Sequence, residues 1–204
     1  MERSISSIPG YRVYDYLLVL YPPEELVNKI QKVQKEFAEK YSSQRTNYAK
    51  PYIALATFTN LAMMEERLLQ RLHITAMGLA PFKMEIKDFG SLPSHTIYLN
   101  IATRLPVQAV VKELKAAQGL MRINGGSKPH FIEDPFVTIG RKLKPWQYEQ
   151  GWLEYSHRSF TGRFIADSMV LLRRDEGSKS AYRVCSRFDF QNLPVVTKQG
   201  SLFL

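Results

Sequence analysis

The sequence predicts a single α+β or α/β body of two pseudo-equivalent lobes, on three observations. Strand-like and helix-like stretches alternate along the chain. No low-complexity linker separates its halves. One short pattern also occurs twice, as "KPYIALATFTN" at 50–60 and "DPFVTIGRKLK" at 134–144. Each copy reads Pro, an aromatic, a β-branched residue, Ala or Thr, then an aliphatic. Tyr52 therefore matches Phe136 and Ala54 matches Thr138, 84 residues apart. Each copy leads into a helix and follows a comparable strand–helix pair, which is what a duplicated lobe requires. The expected domain is the whole chain, 1–204, with motif strands at 50–58 and 134–142.

Taken in order, "YDYLLVLYP" (14–22) is an apolar run closed by prolines, the pattern of a central strand. Leu26, Ile30, Val33, Phe37 and Tyr41 then recur every three or four residues and predict one helical face, with Pro22 and Pro23 at its start. The first motif strand follows. Asn60 is positioned to cap a helix with Leu61, Met64, Leu68 and Leu72 inward. "FKMEIKDFGSL" and "HTIYLNIAT" read as strands joined through a Ser-Leu-Pro-Ser turn. Pro106 opens a helix with Val107, Val110, Val111, Leu114 and Leu120 inward, and "NGGSKP" (124–129) is a loop. After the second motif strand, Pro145 opens a helix carrying Trp146, Tyr148, Trp152 and Tyr155, with both tryptophans expected in the core. Strands at 162–174 and 182–190 finish the fold.

Composition narrows the function classes. With 204 residues, 45% of them hydrophobic, the chain can bury a substantial core. No apolar run approaches 18 residues and the first residues lack a secretory apolar region, so a cytoplasmic protein without a membrane span is expected. The one cysteine, Cys185, excludes an internal disulfide and a cysteine-based zinc cluster; a partly buried strand thiol is expected. Of the +9 net charge, residues 1–102 carry +2 and residues 103–204 carry +7. A basic half suits a phosphate-bearing partner.

These residues resemble the two-histidine phosphoesterase superfamily, which includes the bacterial 2′-5′ RNA ligase-like proteins and the RNA cyclic phosphodiesterases. The family signature is a pair of Pro-His-aliphatic-Thr-aliphatic strands. The matching segments are "PYIAL" (51–55) and "PFVTIGR" (135–141), and "MVLLRRDEGSKSAYRVCSRFDF" resembles the family's last two strands. The likeness spans roughly 14–190. It implies an α+β fold whose two pseudo-symmetric lobes are antiparallel-rich sheets with helices outside. It also implies that two imidazoles serve one phosphate as general base and general acid, while two hydroxyls hold the nonbridging oxygens.

This chain departs from the signature at the decisive positions. Residues i and i+2 of a strand share a face, so the four side chains offered to a phosphate are Tyr52, Ala54, Phe136 and Thr138. Phe136 has no titratable group, and a phenol with an ordinary pKa near 10 is a poor base. Ala54 offers no hydrogen bond, and Thr138 alone is retained. Two-histidine catalysis is therefore expected to be absent.

The other polar residues carry weaker signals. His130 in "KPHF" is expected as an exposed loop residue; a register using "PHFI" as the motif strand is the alternative. His95 is expected at a strand edge, His73 and His157 on helices, and no pair has metal-ligand spacing. Glu133 and Asp134 read as turn residues. Arg141, Lys142, Arg163, Arg173 and Arg174 read as solvated charges unless they converge on one cleft. Lys128, His130, Arg141, Tyr52 and Thr138 are the phosphate- or RNA-binding candidates. No metal or cofactor is expected.

Three readings follow. A degenerate family member keeps a cleft for an RNA end or nucleotide phosphate ester. An active phosphoesterase uses substituted groups, such as Tyr52 with His130 or an arginine. A protein-interaction module has its old cleft filled by Tyr52 and Phe136. The first is preferred, with a monomer expected and a protein partner left open.

Overall fold

The computed structural model describes residues 11–41, 50–123 and 128–194. Among them are nine strands and four α-helices. The order is β1 (Val13–Leu20), α1 (Glu24–Tyr41), β2 (Ile53–Leu61), α2 (Glu65–Gly78), β3 (Phe82–Leu92), β4 (Thr96–Ile101), α3 (Arg104–Leu114), β5 (His130–Phe131), β6 (Phe136–Arg141), α4 (Pro145–Tyr155), β7 (Thr161–Ala166), β8 (Ser168–Asp175) and β9 (Arg183–Asp189). Short 3-10 turns precede α2 at Ala62–Met64 and follow α3 at Lys115–Leu120.

Two antiparallel sheets result, with strand orders β5-β2-β1-β8-β9 and β6-β4-β3-β7. They repeat one plan. β1 and β4 are central, each flanked on one side by a motif strand, β2 or β6, and on the other by β8 or β3. β3 follows α2 yet pairs in the second sheet, whereas β8 follows β7 yet pairs in the first. The lobes thus exchange strands. One apolar cluster takes residues from both sheets, among them Leu20, Ile53, Leu55, Ile97, Leu99 and Ile139, and packs them against the helices. β1 is buried along Tyr16–Leu20 on both of its faces, as its continuous apolar run requires. α1 buries all five residues of its predicted stripe.

Four expectations need correction. The predicted strand at 162–174 is two strands in different sheets, broken at Asp167. There the alternating burial of Gly162, Phe164 and Ala166 gives way to the continuous run Met169–Leu172, and the Asp167 carbonyl accepts the N–H of Phe190. Asn60 does not cap α2. It is buried at the end of β2, where its amide donates to the Leu120 carbonyl at 2.7 Å and its oxygen accepts the N–H of Leu61. Trp146 is 52% exposed, although Trp152 packs on the core. Part of the predicted loop, residues 124–127, lies outside the described residues, but "PHF" just beyond it leads into β5.

α1 and α4 are joined at their ends. Glu154 accepts hydrogen bonds from Lys40 and from the Tyr41 hydroxyl, with Arg158 at 3.7 Å. The Lys40 and Tyr41 bonds hold its carboxyl below the usual range. A depressed carboxyl pKa contributes stability present above the unfolded value of about 4.3 and lost as pH falls through the folded one. Glu154→Gln keeps an acceptor but removes the charge. The variant is therefore expected to be less stable than the parent at pH 7, with the gap closing between about pH 5 and pH 3. Urea midpoints across that range measure it.

Candidate functional site

Each motif strand is held against its central strand in the same register. In the first sheet Ala54 pairs with Val19 and Ile53 with Leu20, then a bulge follows and Ala56 pairs with Leu18. In the second, Phe136 pairs with Asn100, Thr138 with Tyr98 and Val137 with Leu99; the same bulge follows and Gly140 pairs with Ile97. The extra residue, Leu55 or Ile139, is fully buried in both cases. A bulge bends the strand and re-aims its side chains. Its recurrence at equivalent points turns the sequence repeat into a structural one. β6 is also tied to α1, because the Gln34 amide donates to the Thr138 carbonyl at 2.8 Å.

Alternation then fixes the faces. Ile53, Leu55 and Ala56, like Val137, Ile139 and Gly140, turn toward the core and helices. Tyr52 and Ala54, like Phe136 and Thr138, turn to the other face and are only partly buried.

The two faces differ in chemistry. On the first sheet Leu17, Val19, Val170 and Leu172 form an aliphatic floor no more than 8% exposed, covered by Tyr21, Tyr52, Ala54 and Tyr182. Burial, more than the neighbouring phenol of Tyr52, pushes the Tyr21 hydroxyl pKa up, and burial does the same to Tyr182. Both therefore stay protonated donors. Lys50 lies 5.1 Å from the Tyr21 ring centroid and pairs with Glu24, while Arg174 lies 4.5 Å from the Tyr182 ring and donates to Asp15.

On the second sheet the Phe136 ring packs on Tyr98, with centroids 4.4 Å apart and planes inclined by 31°. Tyr98 leans over Gly90, where a Cβ would come within 2.6 Å of its ring. Asn100 stands opposite Phe136 and donates to the Asp88 carbonyl at 3.4 Å. Val19 occupies the register position that Tyr98 takes in the second sheet. One motif site is accordingly an aliphatic bed and the other an aromatic stack.

The basic candidates divide. His130 is exposed, as expected, but it lies on β5 opposite Thr57, which itself faces Leu17 of the floor. Cross-strand partners share a face, so this imidazole joins the open side of the first sheet. Arg141 pairs with Thr96 beyond the bulge and shares the open side of the second sheet. Lys128 is exposed two residues before His130. Among the described residues, Lys128, His130 and Arg141 make no ion pair. Arg174 is also on the open side, already engaged with Asp15. Arg173 binds Glu65 on the helical side, and Arg163 binds Glu85.

The remaining polar residues lie elsewhere. His95 contacts the Thr96 hydroxyl at 2.6 Å through Nδ1, and Glu133 pairs with Lys115 in the turn before β6. Burial pushes the Cys185 thiol up to about 11, and it is partly buried as expected. Among the described residues no group of His, Cys, Asp and Glu converges as a metal site, and no helix is long and apolar enough to cross a membrane. A separate surface cavity of about 530 Å³ lies between α2, Glu113, Ala116 and Asn192–Pro194, away from both motif strands.

Sequence reasoning missed Tyr98, Asn100, Tyr21 and Tyr182. Tyr98 and Asn100 were available as the i, i+2 polar-tipped pair of the strand "TIYLNI", whose alternate residues are buried.

A family model described as the 2′-5′ RNA ligase superfamily matches residues 22–178. Solved structures share the fold at low identity. Escherichia coli LigT complexed with 3′-AMP is 14% identical, with 88% of this chain and 98% of that chain covered and a TM-score of 0.60. TT0787 of Thermus thermophilus is 16% identical, with 87% and 98% covered and a TM-score of 0.61. A crystal structure described as a phosphoesterase is 12% identical, with 89% and 98% covered and a TM-score of 0.62. No curated protein matches the chain.

Proposed function

Because the chain belongs to the 2′-5′ RNA ligase superfamily, we propose that it keeps a cleft for an RNA end or nucleotide phosphate ester but not two-histidine proton transfer. The observation that carries this reading is the fate of the two motif positions. Tyr52 lies on an aliphatic bed and Phe136 is stacked on Tyr98, so neither position presents an imidazole to a phosphate. Removing one general acid or base typically costs about 10²–10⁴ in rate.

Retained binding is supported by three groups of residues. Thr138 keeps its hydroxyl on the open face. The cations Lys128 and Arg141 and the His130 imidazole have no carboxylate partner among the described residues, and phosphate is the ligand that such groups suit. Tyr21 and Tyr182 add phenol donors. The complex of a fold relative, E. coli LigT, with 3′-AMP agrees with a nucleotide-sized ligand.

One observation favours a second reading, an enzyme with substituted groups. His130 stands on the open face beside the first motif strand and is a titratable group there. It has no counterpart in the second lobe, and a lone imidazole cannot act as acid and base at once.

The test is fluorescence anisotropy of a short RNA ending in a 2′,3′-cyclic phosphate against the same RNA ending in a 3′-hydroxyl, at two salt concentrations. Preference for the cyclic end, weakening with salt and without hydrolysis above background, is expected. Hydrolysis lost in His130→Gln would establish the second reading instead. Equal or absent binding of both RNAs would sink the phosphate cleft and turn attention to a protein partner.

A further inference from the structure

We propose that Tyr98 and Phe136 form a stacking platform for the nucleobase at the end of a single-stranded RNA, with Asn100 placed to read its edge. This rests on the RNA-end reading above and names what the second lobe recognises. The ring that stands at the motif position cannot hold a phosphate, because it offers no donor. It can hold a flat π-system, as the open face of a four-stranded antiparallel sheet carrying neighbouring aromatics does for single-stranded RNA.

Four features converge on that use. The two rings are already packed face on face at 4.4 Å and 31° from parallel, so a base stacked on the outer face of the pair would extend an existing stack. Both are partly exposed, whereas Leu99 and Val137, the residues between them in the ladder, are buried. Gly90 leaves room for the Tyr98 ring to lie low on the sheet, since a Cβ there would come within 2.6 Å of the ring and 2.7 Å of Asn100 Oδ1. Asn100 is directly opposite Phe136, and with one amide N–H donating to the Asp88 carbonyl it keeps a second N–H and its oxygen for a base edge.

Charge selects RNA over an apolar peptide. Arg141 shares this face, opposite Thr96 and so one step along the open side of β4 from Tyr98. His130 belongs to the open side of the other lobe, with Lys128 exposed two residues before it, and none of the three has a carboxylate partner among the described residues. A peptide docking on two aromatic rings would leave the Lys128 and Arg141 cations unused. A terminal nucleotide uses both, with its base on the rings and its phosphates toward the cations.

The experiment compares two RNAs with the same cyclic-phosphate end, one intact and one abasic at the terminal residue. They are titrated with wild type, Phe136→Leu and Phe136→Tyr, and thermal unfolding checks that each variant folds. Wild type is expected to bind the intact RNA about 10- to 100-fold more tightly than the abasic one, the range for one stacked base. Phe136→Leu should lose that discrimination and Phe136→Tyr should keep it. If wild type binds both RNAs equally, or Phe136→Leu still discriminates, the platform is wrong while the RNA-end reading stands. If no RNA binds, both fall together, and capture of an apolar peptide would then assign this face to a protein partner.

Discussion

Phe37→Ala is expected to destabilise the protein by about 3–5 kcal/mol, the range for removing a fully buried phenylalanine. Phe37 is fully buried on α1, and its ring meets those of Tyr41 at 5.0 Å and Tyr155 at 5.2 Å. It also occupies a notch formed by two glycines. A Cβ on Gly140 of β6 would fall 2.5 Å from the ring, and one on Gly151 of α4 would fall 2.8 Å from it. One side chain therefore joins α1, α4 and the back of the second motif strand. Urea denaturation of wild type and variant measures the effect. Gly140→Ala should destabilise through the opposite fault, overpacking, by about 1–3 kcal/mol. Because the two positions touch, the double variant should fall short of the sum. A loss below about 1 kcal/mol for Phe37→Ala would mean that β6 is ordered by its pairing with β4 and not from behind.

This packing shows why some of the fold was legible and some was not. Pro51 and Pro135, with alternating apolar residues after them, marked both motif strands to within a few residues, because strand periodicity is local information. The repeat of Tyr52 and Phe136 also foretold that the strands would sit equivalently, and they share even their bulge. What the sequence does not encode locally is the partner of each strand. The break at Asp167 separates two sheets, yet both halves of 162–174 satisfy a strand pattern, and only pairing with β3 or β1 tells them apart. β5 is two residues long and exists because β2 offers an open edge at Ala56–Thr57. That pairing moves His130 from a loop to the open face.

The candidate site was legible to the same degree. Its motif positions were readable, and their surroundings were not. Whether Tyr52 met water or a bed of Leu17, Val19, Val170 and Leu172 depended on two strands, β1 and β8, far apart in the chain. The arginines illustrate the same point. Arg173 and Arg174 are adjacent, and alternation sends one to Glu65 behind the sheet and the other to Asp15 on the open face.

The second large effect expected is a gain of function. A triple variant, Tyr52→His, Ala54→Thr and Phe136→His, would place two imidazoles beside two hydroxyls, with Thr138 supplying the second. The register makes this feasible, because positions 52 and 54, and 136 and 138, share a face in strands of identical bulge and pairing. The aliphatic bed under position 52 would disfavour a charged imidazole and hold it neutral, the form that accepts a proton. The other imidazole, on the lobe without the bed, would then be the one to donate. Replacing Phe136 forfeits its contact with Tyr98, about 0.5–1.5 kcal/mol, which the fold should tolerate. Since acid and base act on one reaction, single substitutions should stay near background and the triple variant should exceed it by at least about 10². Hydrolysis of a 2′,3′-cyclic phosphate, followed against pH, should then trace a bell between the two imidazole pKa values. If the triple variant folds and remains at background, two imidazoles at these positions are not sufficient, and the cleft does not orient a phosphate between the two strands.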